Sequence, residues 1–248
     1  MIKLKNANQF DRMRNAGRIV GETLALMRQL AKPGVTTLEL DRMAEEYIRA
    51  QGAIPAFKGY NGFPATLCTS VNEQVVHGIP SLRCLESGDI ISIDCGAVID
   101  EFYGDAAVTL PIGEVDQDLQ KLLRVTEESL MLGIAQAKIG NRLYDVSYAV
   151  QTHVEANGFS VVRDYVGHGI GRAMHEDPQI PNFGKPGRGP RLEVGMALAI
   201  EPMVNMGTYE VLTLKDHWTV VTKDNRASAH FEHTVAITEN GPEILTRC

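Results

Sequence analysis

Ile90-Ile91-Ser92-Ile93-Asp94-Cys95-Gly96-Ala97-Val98-Ile99-Asp100-Glu101-Phe102-Tyr103-Gly104-Asp105-Ala106-Ala107-Val108-Thr109-Leu110 has the pattern of two strands joined by a tight, acidic turn. The first strand is apolar almost throughout, as in a sheet covered on both faces. Asp94 and Asp105 are out of place in such strands. Aspartate is depleted in sheets, and a buried carboxylate without a partner takes up a proton rather than stay charged. With the turn centred near Ile99 and Asp100, the two aspartates are expected to face each other across the hairpin, Cβ atoms about 4.5–5.5 Å apart. Two like charges that close need a cation between them. One divalent metal ion, or a pair, is the simplest answer.

Upstream, apolar residues at helical spacing (Phe10, Met13, Ile19, Val20, Leu24, Met27) predict a helix over 7–31, stopped by Lys32-Pro33-Gly34. A second helix, capped by Thr36 or Thr37, ends at Gly52. Residues 55–80 have the pattern of loop and short strand. Downstream the plan repeats, with helices over 115–137 and 143–157 separated by Lys138-Ile139-Gly140 and ended by Gly158. At a constant offset of 128 − 22 = 106, Glu22 pairs with Glu128, Leu24 with Leu130 and Leu26 with Leu132. The same offset pairs Ala31, Lys32, Gly34 and Gly52 with Ala137, Lys138, Gly140 and Gly158. Both breakers and both terminal glycines align, which chance similarity of two amphipathic helices does not readily give. The expectation is one α+β domain over 1–248, duplicated internally at about 7–112 and 113–248.

The duplication places Asp94 opposite Ile200, one residue from Glu201 in Ala197-Leu198-Ala199-Ile200-Glu201-Pro202-Met203. Glu232, in Ser228-Ala229-His230-Phe231-Glu232-His233-Thr234-Val235-Ala236-Ile237, is a further carboxylate in an apolar strand pattern. His168 lies between glycines in Gly167-His168-Gly169-Ile170-Gly171, where the backbone can come close to a crowded site. His175 follows seven residues later, and His77 lies in Val75-Val76-His77-Gly78-Ile79-Pro80. Singly, each has a plain structural explanation: a hydrogen-bonded histidine, or one half of an ion pair. His153, His217, His230 and His233 are taken as structural or surface residues. Together, four strand carboxylates and one glycine-flanked histidine, with no matching Lys or Arg in those strands, make an oxygen-rich donor set with one imidazole. Two divalent ions accept such a set.

Composition narrows the function classes. The net charge of −7 argues against a nucleic-acid face or a basic membrane patch. Hydrophobic residues make up 44%, ordinary for a globular protein, and no run approaches the ~18 apolar residues of a membrane span. The N-terminus lacks the apolar core of a secretion signal. Cys68, Cys84, Cys95 and Cys248 form no CxxC pair and no disulfide framework, which points to a reducing, cytoplasmic setting. Residues 182–190, rich in Gly and Pro, are expected to be a surface loop; they lack the spacing of a phosphate-binding loop.

In order and spacing, Asp94, Asp105, His168, Glu201 and Glu232 resemble the ligand set of the methionine aminopeptidases, a family with a duplicated "pita-bread" fold. The likeness runs from about residue 5 to 246 and is carried by Asn72-Glu73-Gln74-Val75-Val76-His77-Gly78-Ile79-Pro80, Gly167-His168-Gly169-Ile170-Gly171, Glu201-Pro202 and Phe231-Glu232-His233-Thr234. The short interval from His168 to Glu201 resembles type 1, in the short bacterial form. The resemblance implies two divalent ions (Co, Mn, Fe, Zn or Ni), with Asp94 on one, His168 on the other, and Asp105 and Glu232 bridging. It makes Glu201 a ligand and the general base, His175 a donor to the scissile amide or oxyanion, and His77 a contact near the substrate's second residue. The methionine pocket maps onto Phe57, Tyr60, Phe63, Cys68, Met174 and Trp218; at Phe57, Phe63 and Met174 bacterial relatives commonly carry Cys, Tyr and Phe. Peptide and nascent-protein N-termini are the implied substrates, for a monomer in the cytoplasm whose docking on ribosomes stays open. Two alternatives remain: a proline-directed pita-bread peptidase, for which residues 1–50 are too few to make the usual extra domain, and a metal-free binding protein of the same fold.

Overall fold

The computed structural model describes residues 1–247, so Cys248 lies outside the described residues. In chain order, α1 (Ala7–Leu30) and α2 (Thr37–Ala50) precede β1 (Ile54–Pro55), β2 (Leu67–Val71), β3 (Gln74–Val76) and the hairpin of β4 (Ile90–Ile99) and β5 (Phe102–Pro111). Then come α3 (Gln117–Gln136), α4 (Leu143–Ala156), β6 (Ser160–Val161), β7 (Gly167–Gly169), β8 (Glu176–Ile180), β9 (Ala197–Ile200) and β10 (Met203–Asn205). The chain closes with β11 (Val211–Thr213), β12 (Val220–Thr222), β13 (Ser228–His230), β14 (Glu232–Thr238) and β15 (Gly241–Ile244).

Side-chain chemistry sets the helix starts. Asn6 and Gln9 form a reciprocal capping box on α1, and Thr36 and Glu39 do the same on α2. The two halves correspond closely: α2 and α4 begin 143 − 37 = 106 residues apart and end 156 − 50 = 106 apart, while α1 and α3 end 136 − 30 = 106 apart. The glycines that punctuate them share a left-handed backbone, φ 90° and 94° at Gly34 and Gly140, and 78° and 86° at Gly52 and Gly158. These correspondences support the proposed internal repeat.

Nine strands form one antiparallel sheet, running β1-β4-β5-β14-β9-β7-β8, with β2 also on β4 and β15 also on β14. Alternation sorts its residues onto two faces. Ile91, Ile93, Cys95, Ala106, Val108, Leu198, Ile200, Val235 and Ile237 pack with Ile19, Met27, Leu40, Ile48, Leu130, Ile134 and Val146 of the four helices in one large core. By the same alternation Asp94, Asp105 and Glu232 fall on the opposite face, away from the helices. The small sheets β13-β10-β6 and β11-β12-β3 complete the molecule.

The hairpin register differs from expectation. Ile99 pairs with Phe102, so the turn is Asp100-Glu101, both left-handed (φ 51° and 68°), as a two-residue hairpin loop requires. Asp94 therefore opposes Ala107, and Asp105 opposes Gly96. The two aspartates are diagonal neighbours on one face, not a directly opposed pair.

Candidate metal centre and adjoining pocket

Three central strands bring the carboxylates together. β14 lies between β5 (Glu232 beside Ala107) and β9 (His233 beside Ile200). The Thr234 hydroxyl donates to the Asp105 carbonyl (2.8 Å) and accepts the Asp105 N–H (3.0 Å), which fixes the height of Asp105 against Glu232. Glu201 is not inside a strand, as the sequence pattern suggested: β9 stops at Ile200, and Pro202, with no N–H to donate, follows. The Asn182 side chain holds the Glu201 carbonyl at 3.1 Å, so one end of the 182–190 loop is buried beneath the site. His168 sits at the middle of β7 beside Ala199. A Cβ on Gly167 would lie 2.5 Å from the Ala199 carbonyl oxygen, and one on Gly169 2.1 Å from that of Asp177. The flanking glycines are demanded by this close approach.

The donor atoms are spaced for ions rather than for one another. His168 Nε2 lies 3.8 Å from Asp105 Oδ2 and 3.7 Å from Glu201 Oε1, too far for hydrogen bonds. Two donors each about 2.0–2.2 Å from a shared ion lie within roughly 4.4 Å of each other, so these gaps fit. Ligand atoms of Asp105, His168 and Glu232 lie within 4.8 Å of one another, as do those of Glu201, His230 and Glu232. Asp94 Oδ1, Asp105 Oδ1 and Glu232 Oε1 are buried with no hydrogen-bond partner. Among the described residues, the ion pairs of this cluster involve imidazoles only, with no Lys or Arg.

Burial pushes the carboxyl of Asp94 up to about 7, with His230 opposing and Glu201 adding to the rise. Glu201 is pushed up to about 8, again by burial. Asp105 and Glu232 are raised well above the carboxylate range by burial first and by their acidic neighbours second. His168 moves the other way, down to about 4, because burial and then His175 disfavour its charge. Its Nδ1 lies 2.9 Å from the Gly169 carbonyl and donates there in the neutral tautomer, which leaves Nε2 free as a donor to metal. Four carboxyls without cationic partners and one neutral imidazole fit divalent ions.

Beside the cluster opens a cavity of about 240 Å³. All thirteen residues singled out in the sequence line it: Asp94, Asp105, His168, Glu201, Glu232, His175, His77, Phe57, Tyr60, Phe63, Cys68, Met174 and Trp218. Its apolar end is a distinct cluster of Phe57, Phe63, Cys68 and Met174 with Tyr60 and Trp218 against it. Trp218 meets Phe63 edge-on at 5.1 Å, and His77 stands edge-on to Tyr165 and Trp218. Tyr60 Oη reaches His175 Nδ1 at 2.8 Å, and the rings of His175 and His168 are 4.2 Å apart. The segment bearing Met174 and His175 is tied down by Glu176, which accepts from Arg172 N, Ala173 N and the buried Lys5 Nζ at 3.0, 3.2 and 2.9 Å.

Several site residues escaped the sequence argument. Tyr165, Val166, Met203 and Asn61 line the cavity, and His230, taken as structural, is buried against Glu201. His230 did carry a signal: it stands two residues from Glu232, hence on the same side of an extended chain.

Residues 11–239 match metallopeptidase family M24. The chain is 61% identical over 246 residues to a methionine aminopeptidase of Clostridium perfringens, covering 99% of both chains. It superposes on the crystal structure of a methionine aminopeptidase from Thermotoga maritima with a TM-score of 0.99 and 49% identity, over 100% of both. A Xaa-Pro dipeptidase from Bacillus anthracis shares the fold at a TM-score of 0.79 and 21% identity, with 62% of that longer chain covered.

Proposed function

We infer the function from a plain premise: the chain belongs to metallopeptidase family M24, has its pita-bread fold, and is a methionine aminopeptidase. It removes the N-terminal methionine of peptides and nascent proteins whose second residue is small. The observation that carries this is the direct opening of the aromatic, sulfur-lined pocket onto the carboxylate cluster. Thioether sulfur packs well on aromatic faces, and divalent ions held by the carboxylates would bind a free α-amine, which selects chain termini. Identity of 61% over nearly the whole chain supports this specificity over the proline-directed alternative, for which the likeness reaches the fold alone.

In this proposal Asp94, Asp105, His168, Glu201 and Glu232 would together hold two divalent ions. When bound, such ions supply a water acidic enough to lose its proton near neutral pH and polarise the scissile carbonyl. Glu201, ionised once the ions are held, would take up the proton released in the reaction and pass it to the leaving amine. His175, oriented by Tyr60, donates to the scissile amide or to the oxyanion that forms from it. His77 sits where the second residue of the peptide would pass. The pocket of Phe57, Tyr60, Phe63, Cys68, Met174 and Trp218 holds the methionine side chain and keeps water from it. We place the enzyme in the cytoplasm, as a monomer acting on chains leaving the ribosome; among the described residues Cys68, Cys84 and Cys95 are free thiols, which agrees with a reducing setting.

Hydrolysis of Met-Ala-Ser, Leu-Ala-Ser and Ala-Pro-Ala, with Mn, Fe, Co or Zn returned to chelated protein, tests the specificity. Met-Ala-Ser should be cleaved best. Cleavage of Ala-Pro-Ala with Met-Ala-Ser untouched would overturn the assignment. His175→Ala should lower kcat about 10²–10³-fold, as removing an oxyanion donor does, with metal content near wild type by elemental analysis. Loss of metal instead would make His175 a ligand.

A further inference from the structure

His230 is the one histidine at the cluster that the mechanism leaves unused. It is 1% exposed, and its Nε2 is buried with no hydrogen-bond partner. That atom lies 3.4 Å from Glu201 Oε2, while the other carboxylate oxygen, Oε1, is the one facing His168 Nε2 at 3.7 Å. The two oxygens of Glu201 are thus divided between two imidazoles. A gap of 3.4 Å is only a few tenths beyond an ordinary N–H···O bond of about 2.7–3.2 Å, and a small turn of the ring closes it.

The backbone that carries the ring is fixed. Thr109 Oγ1 accepts the His230 N–H and donates to the His230 carbonyl, both at 2.8 Å, and Met203 pairs with His230 across β10 and β13. Thr109 itself sits two residues along β5 from Ala107, the neighbour of Glu232. The imidazole is therefore held at a set height relative to the ligands on both strands.

We propose that His230 is a positioning residue, whose Nε2–H donates to Glu201 Oε2 and so aims Oε1 at the ion shared with His168. A carboxylate with two free oxygens can swing between chelating and single-oxygen contact. One fixed by a donor on the far oxygen cannot. Outer hydrogen bonds of this kind orient metal ligands, and losing one typically costs about 10–100-fold in metal affinity or activity. The role rests on Glu201 being a metal ligand, as proposed above.

The test compares His230→Gln, which keeps an N–H donor, with His230→Leu, which fills similar space without one. Metal affinity is read by calorimetry with Mn and Co, and kcat and KM are read on Met-Ala-Ser. Leu should weaken metal binding about 10–100-fold and lower kcat with KM little changed, whereas Gln should stay within a few-fold of wild type in both. Melting of the chelated variants checks that both fold; if Leu does not, His230→Ala replaces it in the same comparison. Equal behaviour of Gln and the donor-free variant would overturn the proposal: both near wild type would reduce His230 to packing, and both deficient would make its imidazole a ligand in its own right. If the wild type fails to cleave Met-Ala-Ser, the functional assignment falls, while the affinity difference still reports on His230.

Discussion

Asp105→Ala and Glu232→Ala should each lower Met-Ala-Ser hydrolysis at least about a thousand-fold. Glu232 belongs to both groups of converging donors, with Asp105 and His168 on one side and with Glu201 and His230 on the other. Asp105 faces His168 across 3.8 Å, and burial and then the Asp94 charge raise its carboxyl. Each residue thus stands between the two proposed ion positions, and deleting it weakens both. Metal-ion stabilisation of the transition state is worth several kcal/mol, and about 4 kcal/mol corresponds to a thousand-fold at 1.36 kcal/mol per tenfold. The fold should not suffer, because each substitution removes a carboxyl whose buried neighbours are acids. The chelated variants should melt no lower than chelated wild type. Turnover and metal content measured on the same samples decide the matter, and full turnover by either variant would sink the dinuclear scheme.

What the sequence disclosed, and what it hid, follows physical lines. The four helices were legible because apolar periodicity and breaker residues are local, and Gly34, Gly52, Gly140 and Gly158 mark left-handed ends. The carboxylates were legible because a charge inside an apolar strand is anomalous wherever the strand goes. The hairpin register was not, since Asp100 and Glu101 adopt left-handed backbones without the Asn or Gly that usually announces such a turn. Lys5 and Glu176 are 171 residues apart and leave no local trace of their pairing. His230 looked like any strand histidine until β13 and β10 were seen to turn it toward Glu201. The pocket was readable only through the family resemblance, for nothing in the spacing of Phe57, Phe63 or Trp218 separates a pocket wall from a core.

Returning a divalent ion to chelated protein should raise its melting midpoint by about 5–10 °C at a hundredfold excess over Kd. Binding to the folded state alone contributes about 2.7 kcal/mol at that excess, and a chain of this size shifts about 2–4 °C per kcal/mol. The shift should also grow with pH. In chelated protein, Asp94 is raised to about 7 and Glu201 to about 8, above unfolded values near 4. The folded state therefore holds protons that the unfolded state has lost, and stability falls as pH rises through those folded values, by about 1.4 kcal/mol per pH unit for each proton retained. The buried imidazoles of His77 and His168, pulled down to about 4, act in the opposite sense. They do so only below about pH 6.5, where an unfolded imidazole begins to charge. Between pH 7 and 8.5 the carboxyls and, toward the upper end, the Cys68 thiol that burial raises act in the same sense, and the chelated protein should melt lower at pH 8.5. Ion binding requires these carboxyls ionised, so it releases their protons and tightens over the same interval. Scanning calorimetry of chelated and loaded protein at the two pH values should show the gap widening. A gap that stays level to pH 8.5 would mean that the carboxyls are already ionised without metal.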